Sequence, residues 1–365
     1  MTNKQLEKRF NALKKVAAVA VALVFAFVII AFISDNVGEA VYQFLVGPLL
    51  RPSRIINVFE RMTPLLFTGT AICIMYQANV FNMVGEGAFL IAASMATWFV
   101  TSNSTMGRLP IIAVCLIVGI GTGVLAAVIP AVLKIKFKAN EIVSSLMMNY
   151  ILLKISDYML LYVLKDTASG LQASYPIPEQ AKLTKITASF VKGTKLHSGF
   201  IIGLIVCVVA YLFIYRTKWG YEIRMVGANQ SFAKYSGIKV LGVALATQLI
   251  GGGIAGLGGA VEILGYYDRF IWYGTQPGYG FDGVLVGVLA GNNPIMVPFA
   301  ALFLAYLRSG AACMSRATDV PVEFVDVLQG IIIILVAAEL FLAKTKHKLI
   351  VNNAKKNLEK EESAK

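Results

Sequence analysis

The sequence predicts an all-α polytopic membrane protein with about ten transmembrane helices. Of its 365 residues, 57% are hydrophobic and only 15% are charged, whereas soluble domains carry about a quarter charged residues. Several apolar runs reach or approach the ~20 residues needed to cross a bilayer core. The mean hydropathy of +0.71 agrees with both observations. A soluble domain is therefore excluded.

The basic residues are concentrated in a few short segments. Of the 33 Lys and Arg residues, 20 lie in residues 1–15, 134–140, 216–239 and 344–365. Short loops rich in Lys and Arg face the cytoplasm, where they also suit an anionic leaflet. The net charge of +13 is therefore interpreted as orientation in a cell membrane and contact with lipid, not as nucleic-acid binding.

Seven apolar segments precede residue 281. Residues 1–15 are a basic cytoplasmic lead, and 16–33 are an uncleaved first span because no cleavage site follows them. The polar residues 34–61 and 165–198 are expected outside. The next six predicted spans are 62–80, 84–100, 110–133, 141–164, 199–215 and 241–265.

The end of the chain depends on one interruption, Gly291-Asn292-Asn293-Pro294. An unbroken helix over 281–307 would put the charged tail, 344–365, outside. A break at Asn-Pro gives two shorter helices and a tail that lies inside after a last span at 323–343. We therefore predict a transmembrane domain over 16–343, with both termini cytoplasmic.

The cytoplasmic loop 216–239 carries five basic residues against one acid. Asn229 is a good N-cap, residues 230–236 suffice for about two helical turns, and Gly237 suits the left-handed position after a helix. Phe232 and Tyr235 would be available for contact. The loop is either a docking helix or an ordinary tight loop.

Small residues predict close helix packing. Gly252 and Gly256 form one GxxxG pair, and Gly119 and Gly123 form another. The cysteines have no paired spacing and are expected to be small buried hydrophobes, with three in apolar segments and the last near a turn: Cys73, Cys115, Cys207 and Cys313.

The segment 82–87 places Glu86 between two glycines and between two apolar runs. An acid in a helix broken at membrane depth is costly and therefore a functional candidate. The alternative is a solvated cytoplasmic turn. Further polar residues in predicted spans are Asn149, Lys154, Asp157, Gln248, Glu262, Gln329 and Glu339.

Two pairs of polar residues have simpler interpretations. Lys154 and Asp157 lie three residues apart on a helix and can neutralise each other. Asn140 and Glu141 are expected to start the fifth span as its N-cap and first-turn acid.

No catalytic or metal-binding pattern is found. The chain has no GxxxxGK[ST], no HExxH and no GxSxG, and its only histidines are His197 and His347. A membrane enzyme is therefore poorly supported.

Three stretches resemble a known family in the right order: NVFNMVGEGAFLIAA (79–93), NEIVSSLMMNYI (140–151) and GYEIRMVGANQSFAKYSGI (220–238). They are similar to motifs of ABC importer permeases of the branched-chain amino acid and monosaccharide class, and the second is typical of the nucleoside branch. The segment 285–311 also fits, so the resemblance covers about residues 60–340.

The resemblance implies a type II-like permease fold and two sets of functional residues. One set would couple to the ATPase: Gly227, Asn229, Phe232, Ala233, Tyr235 and Gly237. The other set are candidates for the substrate pathway: Asn82, Glu86, Asn149 and Glu262. The sequence departs from the family motif at two positions. Met83 is an inserted residue, and Ala88 stands where the motif usually has Gln.

The resemblance also implies partners. An ABC ATP-binding subunit would carry ATP and Mg, with no cofactor on this chain, and a substrate-binding lipoprotein would deliver substrate outside. A second permease subunit completes the pore, with a heterodimer favoured because 165–198 resembles an insertion in one of two paired permeases. Nucleosides are the expected substrates. The alternatives are a sugar, a branched-chain amino acid, or ion-coupled secondary transport.

Overall fold

The computed structural model describes residues 36–103, 106–168, 170–186, 193–321 and a few positions within 21–34, 191 and 323–331. All the regular secondary structure described there is helical, beside three isolated β-bridges. The helices are α1 (Val37–Leu45), α2 (Pro52–Gln77), α3 (Gly85–Ser102), α4 (Arg108–Phe137), α5 (Glu141–Met159), α6 (Gly199–Arg216), α7 (Lys218–Ala228), α8 (Gln230–Tyr235), α9 (Val240–Gly265), α10 (Tyr279–Leu289) and α11 (Val297–Ala317).

Six described helices are long and apolar enough to cross a membrane. They are α2, α4, α5 with its π-helical continuation Leu160–Leu164, α6, α9, and α11 with the 3₁₀ turn before it. The shorter α10 is also apolar but has only 11 residues. The predicted first and last spans, 16–33 and 323–343, fall largely outside the described residues.

Most predicted boundaries agree with the observed helices, with two corrections. The predicted span 62–80 is wrong at its start because α2 begins at Pro52, where a proline is favoured in the first helical turn. Helix α11 runs to Ala317, beyond the predicted end at 307, so Cys313 lies within a helix and not at a turn, although all four cysteines are buried as predicted. The predicted break at Gly291–Pro294 is confirmed, since Gly291 and Asn292 both have positive φ.

Helix α9 is central to residues 48–309, the larger of two compact units, and packs against α2, α3 and α4. The two predicted glycine pairs cross each other. A Cβ at Gly123 would meet the backbone at Gly252 and Gly256, and one at Gly119 would meet Gly256. The small residues therefore permit close backbone contact between α4 and α9.

The segment between α5 and α6 is hydrogen-bonded to the chain that follows α9. Ser174 N donates to Phe270 O (2.8 Å) and Ile177 N donates to Asp268 O (3.0 Å). Lys182 lies between two acids, 2.7 Å from Glu179 and 2.9 Å from Asp268. Residues 174–182 therefore lie against the chain that follows α9.

The smaller compact unit combines residues 1–47 with 310–365. Its described part includes α1 and the end of α11. A Cβ at Gly310 would collide with the carbonyl oxygen of Phe44, so the glycine allows the two helices to touch.

Candidate functional site

The chain between α2 and α3 is a break in a buried apolar region. Helix α2 ends at Gln77, and Asn79 takes a left-handed conformation with φ of 55°. Helix α3 begins again at Gly85, and 13 of its 18 residues are buried. A broken helix of this kind leaves backbone groups that need partners.

Two buried asparagines supply partners for three of these backbone groups. The Asn82 side chain accepts from Val84 N (2.9 Å) and donates to Gln248 Oε1 (2.6 Å) on α9. The Asn149 side chain on α5 accepts from Gly87 N (2.9 Å) and donates to Met83 O (2.8 Å). The break is thus held by side chains from two neighbouring helices.

Glu86 is buried, with 1% of its surface exposed. Its carboxylate accepts hydrogen bonds from Gly278 N (2.8 Å) and from Gly280 N. These amides belong to the first turn of α10, so the acid also lies at the favourable end of that helix dipole. The alternative of a solvated turn is wrong for Glu86, because a second helix start covers it.

Glu262 lies in the last turns of α9 and is 4% exposed. One of its carboxylate oxygens has no hydrogen-bond partner among the described residues. Tyr267 and Tyr279 lie within electrostatic range of this acid, and their hydroxyls are 3.4 Å apart. Tyr273 lies close enough to interact electrostatically with both Glu262 and Glu86. The two acids therefore lie near the same tyrosine.

The loop 216–239 folds as two short helices. Thr217 caps α7 by accepting from Gly220 N (3.1 Å), and Asn229 caps α8 by accepting from Phe232 N (3.0 Å). Gly237 follows α8 with φ of +81°. The predicted cap, the short helix and the left-handed glycine are confirmed.

The six candidate coupling residues divide into an outer and an inner group. Phe232 and Tyr235 are 56% and 93% exposed, and Asn229 and Gly237 are also exposed. Ala233 is fully buried beneath them. Gly227 faces inward too: a Cβ there would collide with the carbonyl oxygen of Gln77.

Ala233 belongs to a buried apolar cluster that we name the coupling core. The cluster brings together residues of the loop, of α6, of α9 and of the α2–α3 break: Ile74, Ala78, Val80, Ala210, Ile214, Ile223, Val226, Ala233, Val243 and Ala244. Ala78 and Val80 lie four and two residues before Asn82. The short helix α8 is therefore packed onto the same core as the helix break.

Sequence reasoning missed Gln77 as a connecting residue. Its side-chain amide donates to Asn292 O (2.6 Å) and to the Tyr215 hydroxyl (3.3 Å). It thus joins the α2–α3 break to the break before α11. A glutamine at the end of an apolar run was the available signal.

Asp282 and Arg308 were also missed. They form an ion pair of 2.7 Å between α10 and α11, and the Asp282 side chain is only 4% exposed. An arginine late in an apolar run, with one acid in the preceding short helix, was the signal for this pair. The predicted pair of Lys154 and Asp157 is confirmed at 3.3 Å, as is Asn140 as the cap of α5.

Comparison with known proteins gives a consistent result. A family model described as branched-chain amino acid transport system, permease component, matches residues 54–337. The guanosine ABC transporter permease protein NupP of Bacillus subtilis is 33% identical over 285 residues, which are 77% of this chain and 80% of that protein.

Two further relatives cover more of the chain. The nucleoside ABC transporter permease protein NupB of Lactococcus lactis is 29% identical over 349 residues, 91% of this chain and 93% of that protein. The glucose ABC transporter permease protein TsgB13 of Haloferax volcanii is 28% identical over 321 residues, 86% and 84% of the two chains. No solved structure matches.

Proposed function

Because the chain belongs to the family of branched-chain amino acid transport system permease components, we propose that it is the permease subunit of an ABC importer for nucleosides. The guanosine and nucleoside permeases among its relatives support this substrate class. The chain would form part of the substrate pathway and couple its opening to ATP hydrolysis on a partner subunit. It would make and break no covalent bond itself.

The coupling core is the observation that carries the mechanism. It packs buried Ala233 of α8 with Ala78 and Val80 at the α2–α3 break. A partner that moves the exposed Phe232 and Tyr235 would therefore move Ala78 and Val80, which lie shortly before Asn82 and Glu86. Packed apolar groups transmit such displacement because protein interiors are dense and compress little.

The proposed pathway lies beside the α2–α3 break and the start of α10. Asn82, Asn149 and Glu86 hold the first break, and Glu86 reaches the start of α10. Irregular backbone at membrane depth is tolerated where it lines protein or a water-filled cavity. Glu262 has one carboxylate oxygen that lacks a hydrogen-bond partner among the described residues, and tyrosines lie beside it. It therefore offers an acceptor for ribose hydroxyls, and the tyrosines offer rings on which a base can stack.

The proposed topology has about ten spans in a type II-like arrangement. It comprises 16–33, the eight longer helices and half-helices α2–α6 and α9–α11, and 323–343. Both termini and the loop 216–239 lie in the cytoplasm, while 165–198 lies outside. The transmembrane domain is then 16–343, flanked by the lead 1–15 and the tail 344–365.

The proposed partners follow from the ABC permease class. They are an ATP-binding subunit that holds ATP and Mg, a second permease subunit favoured as a different chain, and a substrate-binding lipoprotein on the outer face. The outer side chains of α8 are proposed to dock into the ATP-binding subunit, and no cofactor is assigned to this chain.

Uptake of radiolabelled guanosine by the assembled transporter in proteoliposomes tests the proposal. We expect uptake to require ATP and the binding protein, and unlabelled nucleosides to compete. Competition by glucose but not nucleosides would favour a sugar permease, which the similarity to TsgB13 makes the second candidate. Uptake driven by a proton or sodium gradient without ATP would contradict both.

A further inference from the structure

The cytoplasmic end of α6 carries a pocket of about 620 Å³ that the proposed transport mechanism does not use. Three cations line it, Arg216, Lys218 and Arg224, with Glu222 as the single acid. Across the described part of the chain, none of these three cations takes part in an ion pair. The pocket is therefore net positive and open to an anion.

Aromatic rings complete this basic pocket. Tyr215 and Tyr221 line it, and the Arg224 guanidinium lies 5.2 Å from the centre of the Tyr215 ring. The contact holds the arginine in place through a cation–π interaction. A planar guanidinium fixed in this way presents donors suited to phosphate oxygens.

A second, purely apolar groove of about 360 Å³ lies between α2, α6 and α9. It has no polar lining and is formed by Ile74, Ile205, Val206, Val209, Ala210, Phe213, Ile250 and Ile254. Ile205 and Val209 are 55% and 56% exposed. In a membrane such exposed residues face acyl chains, which can enter the groove.

The groove and the basic pocket follow one another along α6. Ile205, Val209, Phe213 and Arg216 are spaced by four, four and three residues, which places them on one face of the helix. Phe213 and Arg216 are separated by only about 4.5 Å of helical rise. An apolar strip thus leads directly to the cation cluster.

Interfacial aromatic residues mark the membrane boundary at this level. The Tyr211 and Tyr215 rings contact each other in a tilted arrangement with centroids 4.9 Å apart, and Trp219 is 63% exposed. Tyr and Trp concentrate at the headgroup level of membranes. The Lys and Arg excess of 216–239 places this boundary at the cytoplasmic leaflet, where anionic lipids are found.

We propose that this face of α6 binds one anionic phospholipid of the cytoplasmic leaflet. Its headgroup phosphate contacts Arg216, Lys218 and Arg224, and an acyl chain occupies the apolar groove. Ser236 and Ile238, which follow α8, also line the headgroup pocket. The bound lipid therefore braces the coupling loop from the side of the membrane.

The proposal rests on the cytoplasmic placement of 216–239 and not on the transported substrate. Native mass spectrometry of the assembled transporter, after titration with phosphatidylglycerol or phosphatidylcholine, measures the lipid directly. The test variant is Arg216→Gln/Lys218→Gln. The matched control is Lys136→Gln/Lys138→Gln, which removes two charges from another cytoplasmic turn.

We expect the wild type to retain phosphatidylglycerol over phosphatidylcholine. The test variant should bind phosphatidylglycerol about tenfold more weakly or worse, and the control should bind as the wild type does. Val209→Trp fills the apolar groove without altering charge. It should also weaken the binding of phosphatidylglycerol. This variant tests the proposal if the double variant fails to assemble.

Three results would overturn the proposal. Equal losses in the test and control variants would mean a general attraction of charge to the membrane. Equal binding of phosphatidylcholine and phosphatidylglycerol would leave an apolar groove without headgroup recognition. The third result has two parts: millimolar glycerol 3-phosphate displaces the lipid, and Val209→Trp binds phosphatidylglycerol as the wild type does. Together they would assign the pocket to free anions.

Discussion

Glu86 is a structural link between two segments as well as a candidate for the substrate pathway. Its two carboxylate oxygens accept from the backbone amides of Gly278 and Gly280, which join α3 to the start of α10. A residue that holds two helix starts together can influence both the shape of the proposed pathway and its opening.

We predict that Glu86→Gln inserts and assembles but transports poorly. Glutamine keeps one acceptor oxygen but turns an amide donor toward a backbone N–H, and an unsatisfied buried group of this kind costs about 1–3 kcal/mol. Guanosine uptake in proteoliposomes, normalised to the amount of assembled transporter, measures the effect.

Asp157→Asn is the control for this prediction. Asp157 is also a buried acid in a predicted span, but its partner is Lys154 on the same helix. We expect this variant to transport nearly as the wild type does. If Glu86→Gln transports as well as Asp157→Asn, Glu86 has no working role in the pathway.

His197 is a buried histidine just before α6. Its Nδ1 accepts from Gly199 N (3.2 Å), and its ring packs so closely on Gly265 that a Cβ there would collide with it. Burial lowers the pKa of His197 to about 4. The ring is therefore neutral in the folded protein at neutral pH.

We predict that this burial makes folding pH-dependent. Because the folded pKa lies below the unfolded value of about 6.5, the stabilisation is fully present above pH 6.5 and is lost as the pH falls toward 4. The loss is on the order of 3 kcal/mol. About 2 kcal/mol of this loss falls between pH 7 and pH 5, and thermal unfolding at the two pH values should show it.

His197→Gln should unfold with a smaller difference between the two pH values. His347→Gln, which removes the other histidine of the chain, should keep the wild-type difference. The opposite pattern would mean that His197 is not responsible.

At the scale of elements, α8 is a six-residue helix with a capping residue before it and a left-handed glycine after it. Asn229 caps its N-terminus, and Gly237, with φ of +81°, ends the helical turn at its C-terminus. A helix this short has little stability of its own. Its position therefore depends on these two ends and on Ala233 in the coupling core.

We predict that Gly237→Val weakens the association with the ATP-binding subunit. A β-branched residue in the left-handed conformation costs about 1–2 kcal/mol, so the end of α8 would shift. Co-purification of the ATP-binding subunit and nucleoside-stimulated ATP hydrolysis should both fall, while insertion is unchanged.

Gly193→Val is a matched control for the strain itself. Gly193 has φ of +88°, and, as at Gly237, a Cβ there would meet nothing within 4 Å. It lies in the segment proposed to be external, so its variant should keep the ATP-binding subunit. Equal loss in both variants would point to general destabilisation instead of a docking helix.

At the scale of the whole molecule, the side of the membrane on which we expect the tail to lie depends on the break before α11. Gly291 and Asn292 adopt positive φ, and Asn293 caps the following turn by accepting from Ile295 N (3.3 Å). In the proposed topology, two short helices in place of one long helix add one membrane crossing, which reverses the side on which the tail lies.

We predict that a cysteine at Asn353 is labelled only in permeabilised cells, in a background with the four native cysteines replaced. The membrane-impermeant reagent reaches only the outer side in intact cells. Glu179→Cys, at an 88% exposed side chain of the segment proposed to be external, should label without permeabilisation. Labelling of the Asn353 variant in intact cells would require an odd number of spans.

Local signals in the sequence predicted the helices and their ends. Apolar length predicted α4, α6 and α9 to within a few residues, because each helix must be apolar over a bilayer thickness. Asn229, Gly237 and the Asn-Pro break were readable because capping and turn preferences depend on neighbouring residues alone. The start of α2 was missed because polar residues conceal a helix that extends beyond its apolar run.

Only the tertiary structure decided what those elements touch. The Glu86 carboxylate meets Gly278 at a separation of 192 residues, and Gln77 meets Asn292 at 215. Such pairs depend on the crossing of α2, α3 and α10, which is determined by the packing of whole helix faces. Since no local pattern encodes that packing, the sequence identified Glu86 as an acid in a broken helix but left open whether it was solvated or buried.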